Sequence, residues 1–489
     1  MTVSSRKAAI GAAFAAVVCA ASAWWAFDWL SLTEERGQTT TTSSGASSAA
    51  TGPRPPIILI TVDTLRADHL GCYGYERDTS PYIDEFSRDA LLFEHCFSHA
   101  PETRTSMASL FSGFLPQETK SLQYDYLPQG VTTLAEHLQG AGYTSIAVVS
   151  NWILRRGQGF EQGFRIYDDT MEQREQARKW PERIAEHTTD AAIELLRQFS
   201  QERLFLWVHY QDPHGPYTPP QPFSAQFTGT AKEKRHVSLQ KVQERNPLSA
   251  LSGRGGIPTY QALGEELDYY YYVSQYDGEI RYTDAQIGRL FDAMKELGFY
   301  EEALILFSAD HGEGMGEHDY YFAHGEYLYR HQLHVPLIVK YGDRLQGRRE
   351  DFVQQIDLLP TILKICELPV DPRLRGGDLR TQPDAARDIV AQMNSPLVED
   401  GIKYSLIREP MHLIYTQLSQ QLELFDLRTD RHEEHDLATE ESHRDQVREM
   451  LTTLEHLNNE DRLRLGQTRP PRKLTEKELK QLKSLGYVR

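Results

Sequence analysis

Cysteine and clustered positive charge are the two features that this sequence has least of. Four of its 489 residues are cysteine, and they lie far apart with no C-x-x-C pair. This spacing indicates neither a structural zinc cluster nor a disulfide scaffold, and it leaves open one bridge among Cys72, Cys96 and Cys366. Basic residues number 52 against 70 acidic ones, so the net charge is −18. Nucleic-acid affinity depends on neutralising phosphates, and we therefore expect no nucleic-acid partner.

Long apolar runs are absent from the sequence after the first thirty residues. Arg6 and Lys7 precede an apolar run over residues 8–25, a combination typical of an export signal. Two outcomes stay open: the Ala-Ser-Ala sequence at 21–23 is a small-x-small cleavage site, whereas three nearby tryptophans are typical of the interfacial belt of a retained anchor. We expect residues 1–30 to be a signal peptide or membrane anchor, and the protein to be extracytoplasmic, in the periplasm or cell envelope.

A tract rich in Thr, Ser, Gly and Ala follows this segment. Such a tract is too polar to pack into a core, so we predict a flexible linker over residues 31–54. A tether is most useful when the segment before it still holds the membrane. The linker therefore favours an uncleaved N-terminal transmembrane helix, which would give the protein a membrane contact.

Short continuous apolar runs alternate with helix-period stretches through the middle of the chain. Each run has the length and composition of a buried parallel strand; the runs are 57–62, 146–149, 204–208, 304–307 and 335–339. The alternation predicts an α/β domain with helices on both faces of a mainly parallel sheet. We place this catalytic domain at residues 55–385.

The pattern changes near Lys403, where three short strands follow one another closely with turn residues between them. Close-spaced strands of this kind are typical of an antiparallel meander. A charged helix is predicted after them, over residues 443–457. We therefore expect residues 386–489 to form a smaller C-terminal α+β domain with an antiparallel sheet.

Three polar residues fall where the predicted parallel strands end, namely Asp63, His209 and Asp310. Ligands of such sheets sit outside the carboxyl ends of the strands. A single strand-end Asp is more often a helix cap than a ligand. Two carboxylates together with His311, which follows Asp310, are instead a donor set suited to Zn²⁺, Mn²⁺ or Ca²⁺. The excess of acidic residues does not exclude an anionic substrate, because a metal ion can reverse the field inside a site.

Thr103 stands immediately before a stretch that can begin a helix. A hydroxyl at this place meets unpaired backbone N–H groups and the positive end of the helix dipole, which favour an anionic substrate and a lowered oxygen pKa. The alternative is a threonine that only caps the helix. The two interpretations are separated by the segments that flank it.

Six segments in order match the landmarks of a known family: 63–74, 103–113, 277–288, 310–312, 356–361 and 423–427. With them the chain resembles the sulfatase family of the alkaline phosphatase superfamily over nearly all of its length after the linker. The resemblance implies an alkaline-phosphatase-like sandwich fold. It also implies an ester hydrolase that binds one divalent metal ion and acts on an anionic ester substrate, a phosphate or sulfate ester.

The resemblance also assigns roles to individual residues. Asp63, Asp310 and His311 match metal ligands, and Thr103 matches the nucleophile that completes the metal shell. His214 matches the family's substrate-binding histidine, and His324 lies near the position of its leaving-group lysine. The alternative for both histidines is a structural role with backbone carbonyls as partners.

Several positions depart from the sulfatase pattern, and Thr103 is the most important. Sulfatases oxidise a Cys or Ser to formylglycine, whereas the methyl group on the Thr103 Cβ would turn the same oxidation into a ketone. Thr105 and Met107 replace the Pro and Arg of the signature that the modifying enzyme recognises. Thr64 replaces the family's second Asp, and Asn151 replaces a cationic substrate contact.

The set that remains, Asp63, Thr103, Asp310 and His311, resembles the single-zinc site of phosphoethanolamine transferases, in which a threonine is phosphorylated. A metal lowers the pKa of such a hydroxyl and neutralises the oxygens of the ester. We therefore expect a metal-dependent hydrolase of phosphoric or sulfuric esters with Thr103 as the metal-bound nucleophile. The alternatives are a phosphoethanolamine-type transferase and a catalytically silent binding protein of sulfatase fold.

Overall fold

The computed structural model describes residues 54–119, 121, 126–174, 179–228, 237–242, 252–382, 387–394 and 401–464. The predicted signal or anchor segment, residues 1–30, lies outside the described residues, as does all of the predicted linker 31–54 except its last residue. Within the described ranges, none of the helices combines the length and the apolar character needed to cross a bilayer.

The described residues form fourteen strands, numbered in chain order: β1 Ile57–Val62, β2 Leu91–Phe97, β3 Thr144–Val149, β4 Ile166–Asp168, β5 Gln173–Arg174, β6 Pro181–Glu182, β7 Leu204–Tyr210, β8 Leu304–Ala309, β9 His334–Tyr341, β10 Gly347–Gln354, β11 Ile389–Met393, β12 Lys403–Arg408, β13 Met411–Thr416 and β14 Gln421–Asp426. The same residues contain eleven α-helices: α1 Pro81–Arg88, α2 Thr103–Ser112, α3 Pro116–Thr119, α4 Leu134–Gly140, α5 Ala185–Gln198, α6 Phe223–Gln226, α7 Tyr269–Glu296, α8 Phe299–Glu302, α9 Arg330–Leu333, α10 Leu358–Ile365 and α11 Arg444–Arg464.

Eight strands form the main sheet, in the order β10-β2-β9-β8-β1-β7-β3-β4. The five neighbours from β8 to β4 run parallel to one another, and β9 pairs antiparallel with both β8 and β2. Every residue of β1, β7 and β8 is buried, as continuous apolar runs require when both faces of a sheet are covered. The predicted α/β class with a mainly parallel sheet is confirmed.

Two groups of helices accompany this sheet. One consists of α1 and α5, which both pack against α7, and the other consists of α4 and α10, which both pack against α2. Helix α5 begins at Ala185, and its buried residues Ala192 and Leu196 belong to the same core as the side chains of β7. The core therefore lies between the sheet and its helices, which leaves the carboxyl edge of the central strands for polar side chains.

A second sheet lies in the C-terminal part of the chain. Strands β11, β12, β13 and β14 pair antiparallel in sequence order. Leu406 and Leu413 of this sheet share a core with Met450 and Leu454 of α11. The predicted antiparallel sheet and the helix after it are confirmed, whereas the boundary between residues 385 and 386 stays a prediction.

The cysteines that the structure describes form no bridge. Cys72, Cys96 and Cys366 are all free thiols, and the last two are buried. The disulfide that the sequence left open among these three residues is therefore absent.

Candidate active site and metal centre

The register of three adjacent strands brings three polar residues to one edge of the main sheet. Thr61 of β1 pairs with His209 of β7, and Val62 pairs with Ala309 at the end of β8. The next residues, Asp63 and Asp310, therefore leave the sheet beside His209. The carboxyl edge predicted from the apolar runs is where the structure places all three.

Each of these three residues keeps one buried polar atom open. Asp63 Oδ1, His209 Nε2 and Asp310 Oδ2 have no hydrogen-bond partner in the described structure. One ligand atom from each residue lies within 4.8 Å of the ligand atoms of the other two. Buried polar atoms are normally satisfied, so three open ones that converge indicate a site for a cation.

The remaining atoms of the same side chains are held by the protein. Asp310 Oδ1 accepts hydrogen bonds from the backbone N–H groups of Thr64, at 3.0 Å, and His311, at 2.7 Å. His209 Nδ1 lies 2.8 Å from the hydroxyl of Thr61, and Asp63 Oδ2 accepts a hydrogen bond from the Asn151 amide. Partners of this kind fix the orientation of metal ligands. The site is built to present one atom of each residue.

The electrostatics of the site favour a bound cation. Burial raises the pKa of Asp63 to about 6. It also raises the pKa of Asp310, and the charge of Asp63 raises it further. Burial lowers the pKa of His209 to about 4, so this imidazole is neutral at pH 7 and available as a ligand. No lysine or arginine of the described residues forms an ion pair with these two adjacent carboxylates, and a divalent ion would supply the positive charge.

His209 is the ligand that the sequence-based set omitted. The sequence placed it at the correct edge, but the family pattern directed attention to His311. The sequence signal for His209 was that it follows the apolar run of β7, just as Asp63 follows that of β1 and Asp310 that of β8. The prediction of a metal site is confirmed to the extent that Asp63, His209 and Asp310 form a buried group able to hold one.

His311 and Thr103 lie against this group. His311 Nε2 is 3.5 Å from Asp310 Oδ2 and 3.9 Å from Asp63 Oδ1. Its Nδ1 donates to the carbonyl oxygen of Gly312 at 2.8 Å, so in the neutral ring Nε2 carries a lone pair that faces the carboxylates. Thr103 Oγ1 is 3.4 Å from the same Nε2. The structure thus brings all four predicted metal-site residues together.

Thr103 is the first residue of α2 and does not cap it. The N-cap is Glu102, which has extended backbone angles of −150° and 145°. The alternative interpretation of Thr103 as a plain N-cap is therefore wrong by one position. A first-turn hydroxyl still lies at the positive end of the helix dipole, where an anion is favoured.

The beginning of α2 is fixed to the metal loop by side-chain hydrogen bonds. Ser106 Oγ donates to the backbone carbonyl of Asp310 at 2.5 Å. Gln355 Nε2 donates to the carbonyl of Ala309 at 2.5 Å, and Gln355 Oε1 lies 2.9 Å from Ser106 Oγ. These bonds hold Thr103 at a constant distance from the metal ligands.

His214 and His324 lie on the other side of His311. The ring centroids of His311 and His324 are 4.6 Å apart, and those of His324 and His214 are 5.1 Å apart. His324 Nδ1 is 3.2 Å from Glu313 Oε1, and His214 Nδ1 donates to the Gly215 carbonyl at 2.8 Å. Both histidines are thus within the same site as Thr103, as predicted, and their roles in turnover stay predictions.

Two further residues belong to the site and were not singled out from the sequence as parts of it. Asn151 was noted only as the replacement of a cationic contact, yet its amide is bonded to Asp63. Glu313 is fully buried, where it accepts a hydrogen bond from the Tyr217 hydroxyl at 3.1 Å and contacts His324. Burial raises the pKa of Glu313 to about 8. Its place two residues after His311 was the only sequence signal.

Comparison with known proteins assigns the chain to a family. The sequence model of the family described as Sulfatase matches residues 55–367. The chain belongs to the sulfatase family. It is 23% identical to an arylsulfatase of Clostridium perfringens, over 81% of this chain and 92% of the relative. It is 26% identical to an ulvan-active sulfatase of Formosa agariphila, over 70% of this chain and 68% of the relative.

Solved structures show the same fold. The phosphonate monoester hydrolase of Agrobacterium radiobacter superposes with a TM-score of 0.66 at 19% sequence identity, over 83% of this chain and 96% of the other. At this identity the likeness concerns the fold alone. The prediction of a sulfatase-family ester hydrolase is confirmed.

Proposed function

We propose that this sulfatase-family enzyme hydrolyses phosphoric esters with the unmodified Thr103 hydroxyl as nucleophile. The observation that carries the proposal is the position of Thr103 Oγ1, 3.4 Å from His311 Nε2 and at the first turn of α2. A nucleophile placed there faces the open atoms of the carboxylates and the helix dipole together. No prior oxidation of Thr103 is needed, because a hydroxyl can attack phosphorus directly.

The metal site would be formed by Asp63, His209 and Asp310, with His311 as a further ligand. Two carboxylates and two imidazoles favour Zn²⁺ or Mn²⁺ over Ca²⁺, which prefers oxygen ligands throughout. When bound, such a cation lowers the pKa of a neighbouring hydroxyl and neutralises the oxygens of an anionic ester. The three buried open atoms support this assignment.

The residues around Thr103 supply the rest of the chemistry. Thr103 gives its hydroxyl proton to solvent and its Oγ forms a bond to phosphorus as the ester bond breaks, and His324 gives a proton to the departing oxygen. Glu313 orients His324 for this role through the contact at Nδ1. His214, beside His324, binds the oxygens of the substrate. Water then attacks phosphorus and gives a proton to His324, and the bond from Thr103 Oγ to phosphorus breaks to release phosphate, which completes hydrolysis.

Substitution of Thr103 tests the proposal. Thr103→Ala should reduce kcat by about 10⁴-fold or more, the scale seen when a nucleophile is removed, and Thr103→Ser should retain measurable activity. Ser112→Ala is the matched control, since it removes a buried hydroxyl from the other end of α2. Intact-mass measurement of trapped enzyme should show a phosphoryl adduct on Thr103. A Thr103→Ala variant as active as its parent would refute the mechanism.

Sulfuric ester hydrolysis by the same unmodified threonine is the second candidate. It is favoured by the relatives, which include an arylsulfatase and an ulvan-active sulfatase. The two candidates differ in the rates they predict for matched aryl phosphates and aryl sulfates. Higher kcat/KM on the sulfates, together with a sulfated Thr103 in trapped enzyme, would select this second function.

We also propose that the catalytic part acts outside the cytoplasm. Arg6, Lys7 and the apolar run after them support export, and the polar linker supports a tethered enzyme. A reporter fused after Gly52 should be active only outside the cytoplasm. Activity confined to the cytoplasm would contradict the proposal.

A further inference from the structure

A second polar cavity lies apart from the metal centre. It has a volume of about 290 Å³, and its lining includes Arg66, His95, Arg330 and Arg431. None of the predicted metal-site residues lines it. Arg66 connects its wall to the metal loop, because Arg66 Nη1 donates to the carbonyl oxygen of Glu313 at 3.1 Å. The cavity is therefore a neighbour of the active site and is formed by different side chains.

Arg330 is the unusual residue of this cavity. It is only 9% exposed, and its Nη1 has no hydrogen-bond partner in the described structure. Its Nη2 faces two imidazole nitrogens, His95 Nδ1 at 3.3 Å and His334 Nδ1 at 3.4 Å. No carboxylate of the described residues lies within ion-pair distance of its guanidinium. Glu433 and Asp68 stabilise its charge from beyond that distance, so its open Nη1 can still accept a direct anionic partner.

The histidines do not change this balance. Burial lowers the pKa of His95 to about 3, with Arg330 as the next cause, and burial lowers the pKa of His331 to about 4. Burial lowers the pKa of Arg330 to about 10, so the guanidinium remains charged at neutral pH. At pH 7 the Arg330 guanidinium is thus charged and the His95 and His331 rings are neutral, and the negative charges that act on Arg330 are those of Glu433 and Asp68.

The carboxylates of the cavity wall already have partners. Arg66 pairs with Asp68 and Glu317, both at 2.7 Å. Glu94 pairs with Arg348 at 3.0 Å, and Glu433 pairs with His412. At the rim, Arg431 is exposed and has no carboxylate of the described ranges within ion-pair distance. The exposed Glu76 is the remaining acidic group of the lining. Arg330 inside and Arg431 at the rim are therefore the two guanidinium groups of this lining that have no carboxylate of the described residues within ion-pair distance.

We propose that this cavity is a second oxyanion site, which binds a sulfate or phosphate group between Arg330 and Arg431. A guanidinium group matches the geometry of such oxyanions, which accept two parallel hydrogen bonds from it. The group has two sources: a free inorganic ion, or an anionic substituent on a substrate that is larger than its reacting ester. The volume of about 290 Å³ is ample for either. The site goes beyond the proposed function and does not depend on the chemistry of Thr103.

Inorganic sulfate tests the site directly. The full chain carrying Asp310→Asn, which disables the metal centre, should bind sulfate saturably in a calorimetric titration in chloride buffer. Arg330→Gln or Arg431→Gln added to this background should weaken binding at least tenfold. Arg289→Gln, which removes an exposed arginine paired with Asp190, is the matched control and should have no effect. Equal sulfate binding in all variants, or no binding by the Asp310→Asn protein, would overturn the proposal.

The thermal midpoint separates a binding role of Arg330 from a structural one. In chloride buffer, Arg330→Gln should unfold at the parent's temperature or above it, because it removes an unpaired buried charge. Sulfate should then raise the midpoint of the parent but not of Arg330→Gln. A lower midpoint for Arg330→Gln in both buffers, with sulfate binding unchanged in Arg431→Gln, would show a structural arginine and refute the site.

Kinetics distinguish the two sources of the oxyanion. Arg431→Gln should leave kcat/KM on a small aryl ester unchanged, since Arg431 lines the second cavity and Thr103 does not. If the site binds a second group of the substrate, the same variant should raise KM several-fold for a polysulfated oligosaccharide. If it binds the free ion, KM for both substrates should stay the same while sulfate binding is lost.

Discussion

Asp310 and Asp357 are both fully buried carboxylates near the ends of strands, but their oxygens have different surroundings. Asp357 Oδ1 accepts hydrogen bonds from the Gly377 backbone at 2.7 Å and from Arg387, and its Oδ2 accepts one from the Gln354 backbone at 3.0 Å. Asp310 Oδ1 accepts two backbone hydrogen bonds, whereas its Oδ2 has no partner in the described structure.

The comparison separates a carboxylate that stabilises the fold from one that is prepared for a ligand. Arg387 provides the counter-charge of Asp357 within the chain. No arginine or lysine of the described residues plays that part for Asp310, and the charge of Asp63 raises the pKa of Asp310. The first arrangement is complete without a ligand. The second is complete only when a cation is bound.

The largest effect is expected for Asp310→Asn. The amide oxygen can still accept hydrogen bonds from the Thr64 and His311 backbones, so the protein should fold. The charge that attracts the metal is lost, and turnover should fall by about 10³-fold or more, as when a stabilising group of the transition state is removed. Elemental analysis should show one divalent ion in the parent and none in the variant. Full metal content in folded Asp310→Asn would contradict the assignment.

Asp357→Asn should give the opposite result. The variant leaves Arg387 without its buried partner, and breaking such a pair costs about 3 kcal/mol or more. Denaturant unfolding should show this loss, while elemental analysis of the protein that remains folded should show the parent's metal content. A variant that keeps its stability but loses metal would place Asp357 in the metal centre and refute its structural role.

The sequence predicted which residues reach the edge of the sheet, because a continuous apolar run that ends in a polar residue has one physical interpretation in an α/β fold. It did not predict which of them converge. That Thr61 pairs with His209 depends on the register of β1 against β7, which are separated by more than a hundred residues. Local patterns carry no information on such a register, so His209 was placed at the edge but omitted from the ligand set.

The second polar cavity, lined by Arg330 and Arg431, was even less predictable from the sequence. Arg330 and Arg431 are far apart in the sequence and lie in no pattern that indicates a site, and Arg66 lies in the landmark segment 63–74 without a role assigned to it there. Their significance arises only from the pairing of the surrounding carboxylates. The one-position error at Thr103 has a different cause, since helix ends are set by capping details that are weak in sequence.

His209→Gln tests whether the omitted residue is a ligand. The glutamine amide does not place a lone pair where His209 Nε2 lies. Metal affinity should therefore fall by more than the factor of about ten that a change in a supporting residue causes. His99→Gln is the matched control, since His99 is also a buried histidine, with Nδ1 bonded to a backbone carbonyl. Competition with a chelator measures the affinity. Equal affinity in His209→Gln and the parent would restrict the centre to Asp63, Asp310 and His311.

The smallest effect is expected at Thr61, which touches the metal site only through another residue. Its hydroxyl lies 2.8 Å from His209 Nδ1 and accepts a hydrogen bond from Trp207 Nε1 at 2.9 Å. Thr61→Val keeps the shape of the side chain but frees the His209 ring to rotate, so metal affinity should fall by about tenfold. The unpaired Trp207 N–H should also cost about 1–3 kcal/mol of stability.

Thr361→Val is the control that separates these two effects. Thr361 is likewise buried, and its hydroxyl donates to the Asp357 carbonyl at 2.7 Å. Loss of this hydroxyl should lower the free energy of unfolding by a similar amount. It should not change the metal affinity, because the hydroxyl forms no hydrogen bond to a ligand of the proposed centre. If Thr61→Val and Thr361→Val change the metal affinity equally, the effect of Thr61 is one of general stability. A drop confined to Thr61→Val shows that the orientation of His209 is part of the metal centre.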